Sequence, residues 1–342
     1  MAGARTYGFL HARVRGFMPR LADADALRDL IHQPPEGQTA LLNRWGLPAM
    51  LIEGGEEPAE LEQTLISQLV AEAEALIRPL TGAPREALTH WMRRFELINL
   101  KVLLRGKGMS GATQDLRPQL VAMGALDALP VEELLHTEDV PDLLRHLEGT
   151  VYAPAARHAE RVYAEQRRLF DVEATLDRDY YSGLAQGITR LKAADREALA
   201  PLIGRILDEV NLVWLLRYRF AMGLAPAHTF FLLVSSPFGI SGGQLQQLAR
   251  QESLTDVIAT LPSDFYEQLA DCTTVNAVED RLAKATAASA DHLLRRRVFQ
   301  PGQALAYLLL RQRQFQAIHA VLKGERLGLD DDLIRGAAGL AG

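Results

Sequence analysis

Cysteine occurs once, at Cys272, so no disulfide can form within the chain. No Asn-X-Ser/Thr acceptor is present, and the opening MAGARTYGFLHARVRGF lacks the long apolar core of a secretory signal. Both absences point to a cytoplasmic protein. Aromatic residues make up only 6% of the 342 residues, and no Pro- or Ser-rich tract marks a linker. An excess of positive charge is missing too. The 37 Lys and Arg against 43 Asp and Glu leave a net charge of -6, too acidic for a surface that follows a nucleic-acid backbone. The one long uncharged stretch, residues 220–249, has the length of a membrane span but contains Pro226, Pro237, Gly239, Gly242 and Gly243, and is densely apolar only over 230–234. It reads as a buried connector followed by a helix, with no direct membrane span, so that any membrane association comes through a partner.

Signatures of catalysis are equally scarce. There is no Gly-x-x-x-x-Gly-Lys-Ser/Thr loop to cradle nucleotide phosphates and no His-Glu-x-x-His pair among the nine histidines. His90, His136 and His146 stand apart from any ligand cluster. Cys272 is flanked by Asp271 and Thr273, which do not favour a thiolate. The run Gly106-Lys-Gly108-Met-Ser-Gly111 matches a dinucleotide fingerprint in spelling only, because it follows a helix rather than a strand; glycines there are expected to stop the helix. Asp330, Asp331 and Asp332 form a single acidic run, suited to the first turn of a final helix, where they complement its dipole. Arg295 to Arg297 and the Arg13, Arg15, Arg20 group are basic patches that read as solvated helix faces, the alternative being contact with an acidic partner. No catalytic, cofactor or metal-binding residue is expected.

What the chain does have is helix. Hydrophobic residues reach 48% with Ala, Leu, Glu, Gln and Arg abundant, and apolar positions recur at three and four rather than at two. Over 86–105 the stripe Leu88, Trp91, Met92, Phe95, Ile98, Val102 predicts one amphipathic helix. Over 196–217 the series Leu199, Leu202, Ile203, Ile206, Val210, Val213, Trp214 predicts another.

Both helices end alike. Glu96, Asn99, Leu103, Leu104 and Arg105 correspond to Asp208, Asn211, Leu215, Leu216 and Arg217, at a spacing of 112 residues. A weaker third segment keeps Val321, Leu322 and Lys323 but carries Gln314 and Ala317 in place of the acid and the Asn. After the first two segments, Leu134, Val140, Leu143, Leu147 and Tyr152 match Leu248, Leu254, Val257, Leu261 and Tyr266 at a constant offset of 114. A period near 110 exceeds that of solenoid repeats. The chain therefore reads as three diverged copies of one helical unit, 1–117, 118–224 and 225–342, about an approximate threefold axis or stacked in an arc. Asn is unfavourable inside a helix, so Asn99 and Asn211 are expected to offset that cost through a buried side-chain bond to a neighbouring helix end, the alternative being a contact with a partner.

The acid, Asn, Leu-Leu, Arg runs at 96–105 and 208–217, the opening Tyr7-Gly-Phe-Leu-His-Ala-Arg13-Val-Arg15 and the closing LLLRQRQFQAIHAVLKGERLGL resemble the C subunit of V/A-type ATPases, related to the d subunit of eukaryotic V-ATPases. The resemblance covers essentially the whole chain and departs from the pattern at Gln314 and Ala317. It implies an all-α funnel of three pseudo-equivalent helical repeats, without an active site. Such a protein would sit in the rotor on the membrane proteolipid ring and receive the D and F subunits of the central stalk, transmitting torque between ion flow and ATP synthesis or hydrolysis. If the repeated helix ends face one opening of that funnel, Arg105, Lys107, Arg217, Arg219, Lys323 and Arg326 would form a broken basic ring for a partner. Two other readings compete: a stacked-repeat scaffold, elongated with an open concave face, and a metal-dependent helical enzyme, which would need paired acidic motifs on one cavity.

Overall fold

The computed structural model describes residues 2–49, 51, 58–108, 115–296 and 299–340. All regular structure in these residues is helical, with no strand. In chain order the helices are α1 (Ala2–Phe17), α2 (Ala24–His32), α3 (Pro35–Arg44), α4 (Pro58–Ile77), α5 (Gly82–Met92), α6 (Arg94–Gly108), α7 (Val131–Leu135), α8 (Val140–His146) and α9 (Ala153–Gln166). They continue as α10 (Leu169–Thr189), α11 (Ala193–Leu216), α12 (Pro226–Leu232), α13 (Gly242–Ala249), α14 (Leu254–Thr260), α15 (Ser263–Leu269), α16 (Val275–Arg295), α17 (Gly302–Arg326) and α18 (Asp331–Ala337). None is long and apolar enough to cross a membrane. Within the uncharged stretch, α12 and α13 flank an irregular segment, so it holds one more helix than the sequence suggested.

The chain forms two compact bodies, one of residues 1–85, 121–126 and 290–342, the other of 86–120 and 127–289. In the first, α17 is the central element. It is buried along most of its length, polar Gln303, Arg311 and Gln314 included, and packs against α1, α2, α4 and α18. Its Gly324 lets α18 approach closely, since a Cβ there would meet Ile334 Cγ1 at 2.6 Å. Asp330 caps α18 by accepting the Asp332 and Leu333 N–H groups, and Asp331 and Asp332 occupy the first turn, as the sequence indicated.

The second body contains two hydrophobic clusters of similar make-up. In one, α6 contributes Leu97, Leu100, Leu103 and Leu104 against Leu134 of α7, Leu143 and Leu144 of α8 and residues of α9 and α10. In the other, α11 contributes Leu212, Val213, Leu215 and Leu216 against Leu245 and Leu248 of α13, Val257 and Ile258 of α14, and Val278 and Leu282 of α16. The caps correspond as well. Asp139 accepts the Asp142 N–H at the start of α8, and Ser253 accepts the Asp256 N–H at the start of α14, again 114 residues on.

One expected helix is divided. The stripe over 86–105 belongs to α5 and α6, which part at Arg93. Leu88, Trp91, Met92 and Phe95 are buried as expected, but Ile98 is 44% exposed. The break rotates the inward face of α6 onto Glu96, Asn99, Leu100, Leu103 and Leu104. Across a break, a single helical period no longer carries the face forward.

Candidate functional site

The repeated acid and Asn positions sit on the inward faces of α6 and α11, where they hold connecting backbone. Glu96 is fully buried. Its Oε1 accepts the Ala128 and Leu129 N–H groups at 2.5 and 2.8 Å, while its Oε2 accepts the Tyr152 hydroxyl at 2.5 Å. Asp208 accepts the Ile240 N–H at 2.7 Å. In both cases the acid reaches an amide 32 residues further on, Ala128 from Glu96 and Ile240 from Asp208. Gly239 makes room for this contact: its φ is +86°, and a Cβ there would collide with the Asp208 carboxylate. Asn211 donates to the Val234 carbonyl at 3.0 Å and accepts the Val234 N–H at 2.8 Å, just past the end of α12, which is the helix-end bond expected of it. Asn99 is buried at the corresponding place.

Burial acts on these carboxyls in one direction. It raises the Glu96 carboxyl above the usual carboxylate range, against the bonds from Tyr152 and Ala128. It raises Asp208 from 3.8 to about 6, with the Ile240 N–H and Arg205 pulling the other way. The folded state thus holds the Asp208 proton more tightly than the unfolded chain. That stabilisation is complete below pH 3.8 and is lost as the pH rises through 6. Asp208→Asn keeps an oxygen for Ile240 but removes the titration. Urea unfolding at pH 4.5 and 7 is expected to show the variant's stability changing with pH by about 2 kcal/mol less than the parent's across this interval. Equal pH dependence in the two proteins would contradict the assignment.

The helix-ending cations are largely engaged within the chain. Lys107 Nζ donates to the Leu135 and Thr137 carbonyls at 2.8 and 2.6 Å, at the C-terminus of α7. Arg219 donates to the Ala249 and Gln251 carbonyls at 2.8 and 3.3 Å, at the C-terminus of α13, and to Leu224. The accepting carbonyls are again 114 residues apart. A cation there satisfies carbonyls that the helix leaves unpaired. Arg105 forms a two-pronged pair with Glu173, both bonds 2.7 Å, and Arg217 pairs with Glu279 at 2.5 Å. In the other body, Arg326 donates to the Leu51 carbonyl, and Lys323 is exposed with no partner among the described residues. Gln314, standing where the acid stands in the other segments, bonds Arg311 and the Arg20 carbonyl.

Other sequence candidates fall into structural roles. Gly106 and Gly108 lie in the last turn of α6, and Met109, Ser110 and Gly111 are outside the described residues. Arg13 donates to the Ala75 carbonyl, Arg15 to the Arg296 carbonyl, and Arg295 pairs with Asp291, while Arg297 is outside the described residues. Cys272 is buried, which pushes its thiol up and away from thiolate formation at neutral pH. Among the described residues no group of three or more His, Cys, Asp or Glu side chains could hold a metal ion.

One polar centre was not anticipated. Arg311 of α17 is completely enclosed, and its guanidinium bonds both carboxylate oxygens of Glu72 in α4 at 3.1 Å each, with the Trp45 and Arg20 carbonyls at 2.6 and 2.8 Å. The Tyr307 hydroxyl donates to Glu72, and Arg20 reaches the same carboxylate. Burial raises the Glu72 carboxyl, but Arg311, Tyr307 and Arg20 together outweigh burial and hold it below the ordinary value. The signal was in the sequence as a charge on an otherwise apolar stripe: Leu65, Leu69, Glu72, Leu76 in one helix and Tyr307, Arg311, Phe315, Ile318 in the other.

A family model described as the ATP synthase (C/AC39) subunit matches residues 10–337. The chain belongs to that family. Relatives of the C/AC39 group include the A-type ATP synthase C subunit of Methanosarcina barkeri, 22% identical over 341 residues and covering 97% of this chain and 92% of the relative. That of Halobacterium salinarum is 26% identical over 290 residues, covering 80% of each chain. A third, from Methanocaldococcus jannaschii, is 21% identical, covering 96% of this chain and 85% of the relative. The match takes in both repeated helices and α17 alike.

Proposed function

We propose that this chain is a non-catalytic rotor component of a V/A-type ATP synthase, peripheral at the cytoplasmic face of the membrane. It links the D and F subunits of the central stalk to the membrane proteolipid ring and transmits torque between ion movement and ATP synthesis or hydrolysis. The observation that carries this reading is the family match over residues 10–337, with a relative from Methanosarcina barkeri, named as the C subunit of an A-type ATP synthase, matched over 92% of its own length.

Within this reading the chain is three copies of one helical unit, 1–117, 118–224 and 225–342, closed into a funnel. The paired bonds of Glu96 and Asp208 to amides 32 residues on, and of Lys107 and Arg219 to equivalent helix ends, support two of those copies. Torque is lost wherever an adaptor yields, so bonds that fix connecting segments to long helices suit the task. Arg105, Lys107, Arg217 and Arg219 then serve a partner surface indirectly, by holding helix ends in place, while Lys323 offers its ammonium directly. Co-expression of the chain with the D and F subunits is expected to yield a complex that co-elutes in size-exclusion chromatography, with no ATP hydrolysis by the chain alone. Failure to co-elute, or ATP turnover by the isolated chain, would overturn the proposal.

A further inference from the structure

The second body carries a cavity of about 570 Å³ bounded by the α5–α6 junction, the segment at Val151 and Tyr152, α9 and α10. Three arginines line it: Arg93 from the junction, Arg161 from α9 and Arg190 at the end of α10. No carboxylate pairs with any of them among the described residues. The Arg93 Nε is enclosed without a hydrogen-bond acceptor, whereas Arg161 and Arg190 are exposed at the rim. The cavity's acid, Asp179, is already held by His158 Nδ1 at 3.0 Å. Burial and the neighbouring Arg93 charge lower the His90 ring below its usual value, against the bond from its Nε2 to the Tyr180 carbonyl at 2.8 Å. Leu97, Leu176, Val151 and Pro154 supply an apolar wall.

We infer that this cavity binds a small organic phosphate of about nucleoside-diphosphate size, its phosphates on Arg93, Arg161 and Arg190 and its organic part on the apolar wall. The volume falls within the roughly 300–1,000 Å³ of small-molecule sites, and a concavity of this size is too small to seat a protein face. Three guanidinium groups sharing one concavity repel each other until an anion enters, and the fork of donors on each matches phosphate oxygens. The apolar wall distinguishes an organic phosphate from a bare inorganic anion.

Titration calorimetry of the full chain with ADP, adenosine and an octaglutamate peptide tests this. ADP is expected to bind, with adenosine at least tenfold weaker. In R161E/R190E, whose positions are exposed and whose melting temperature should match the parent's, ADP affinity is expected to fall at least tenfold. No heat with ADP at millimolar concentration would overturn the inference, as would equal affinity for adenosine, unchanged affinity in R161E/R190E, or octaglutamate binding more tightly than ADP. The stalk-binding proposal stands or falls separately, through the co-elution experiment.

Discussion

Replacing Arg311 by methionine is expected to lower the unfolding free energy by about 3–5 kcal/mol, the usual loss when one member of a buried ion pair is removed. Methionine nearly fills the space of the side chain's stem, so the loss is electrostatic rather than a packing defect. It leaves the Glu72 carboxylate, which is 2% exposed, with Tyr307, Arg20 and Gln68 but no buried counter-charge, frees the Trp45 carbonyl, and leaves the Arg20 carbonyl to Gln314 alone. The Coulomb and hydrogen-bond contributions of Arg311 that help hold Glu72 below its ordinary range disappear, while the burial that raises it stays. Urea denaturation measures the loss. The double variant E72Q/R311M is expected to be more stable than the sum of the single losses by about 1–3 kcal/mol, because once the guanidinium is gone a neutral amide costs less to bury than a carboxylate. Strict additivity would show that the two side chains do not act as a pair.

The second large effect is expected at Asn211. Alanine there improves intrinsic helix propensity by roughly 0.6 kcal/mol, so local reasoning alone forecasts a more stable protein. The tertiary partner reverses the sign. Val234 is fully buried, and Asn211 satisfies both its N–H and its carbonyl. Two buried groups left unpaired cost about 1–3 kcal/mol each, so with the propensity gain subtracted Asn211→Ala is expected to lose about 1–5 kcal/mol overall. Amide exchange at Val234 should accelerate in parallel. Asn211→Asp retains an acceptor for the Val234 N–H but turns an anion toward the Val234 carbonyl, and is expected to be no more stable than the alanine variant. A gain in stability for the alanine variant would show that the bond to Val234 contributes little.

Much of the helical architecture is visible in the order of residues. Spacing of Leu199, Leu202, Ile203 and Ile206 places α11, and the acidic run at 330–332 places the start of α18, because both signals act within one or two turns. The recurrence of Glu96 and Asn99 at Asp208 and Asn211 marks equivalent positions, and the cost of Asn in a helix already demands a buried partner for it. The division at Arg93 was hidden. Residues on both sides favour helix, and the apolar series continues in spacing through a point where the backbone turns. Ile98 consequently faces outward although its position in the stripe says otherwise.

The charged residues show the same boundary. Lys107 and Arg219 read as helix-ending cations able to meet a partner, and their being at helix ends was correct. Which carbonyls they would reach, at Leu135 and Ala249, depends on how the following short helices fold back. Glu72 and Arg311 lie 239 positions apart, and each looks only like an interruption of its own apolar face. Neither helix states that the other exists.

The amino-acid order thus determined the helical class, the family and the recurrence of chemically equivalent positions, since period, capping and repeated motifs are properties of the chain taken a turn or a segment at a time. Tertiary structure alone decided which groups those positions hold: Ala128 for Glu96, Ile240 for Asp208, Val234 for Asn211, Glu72 for Arg311. The reason is physical. A buried charge or amide must be satisfied by whatever packing brings within about 3 Å, and that distance is set by the approach of remote helices rather than by separation along the chain.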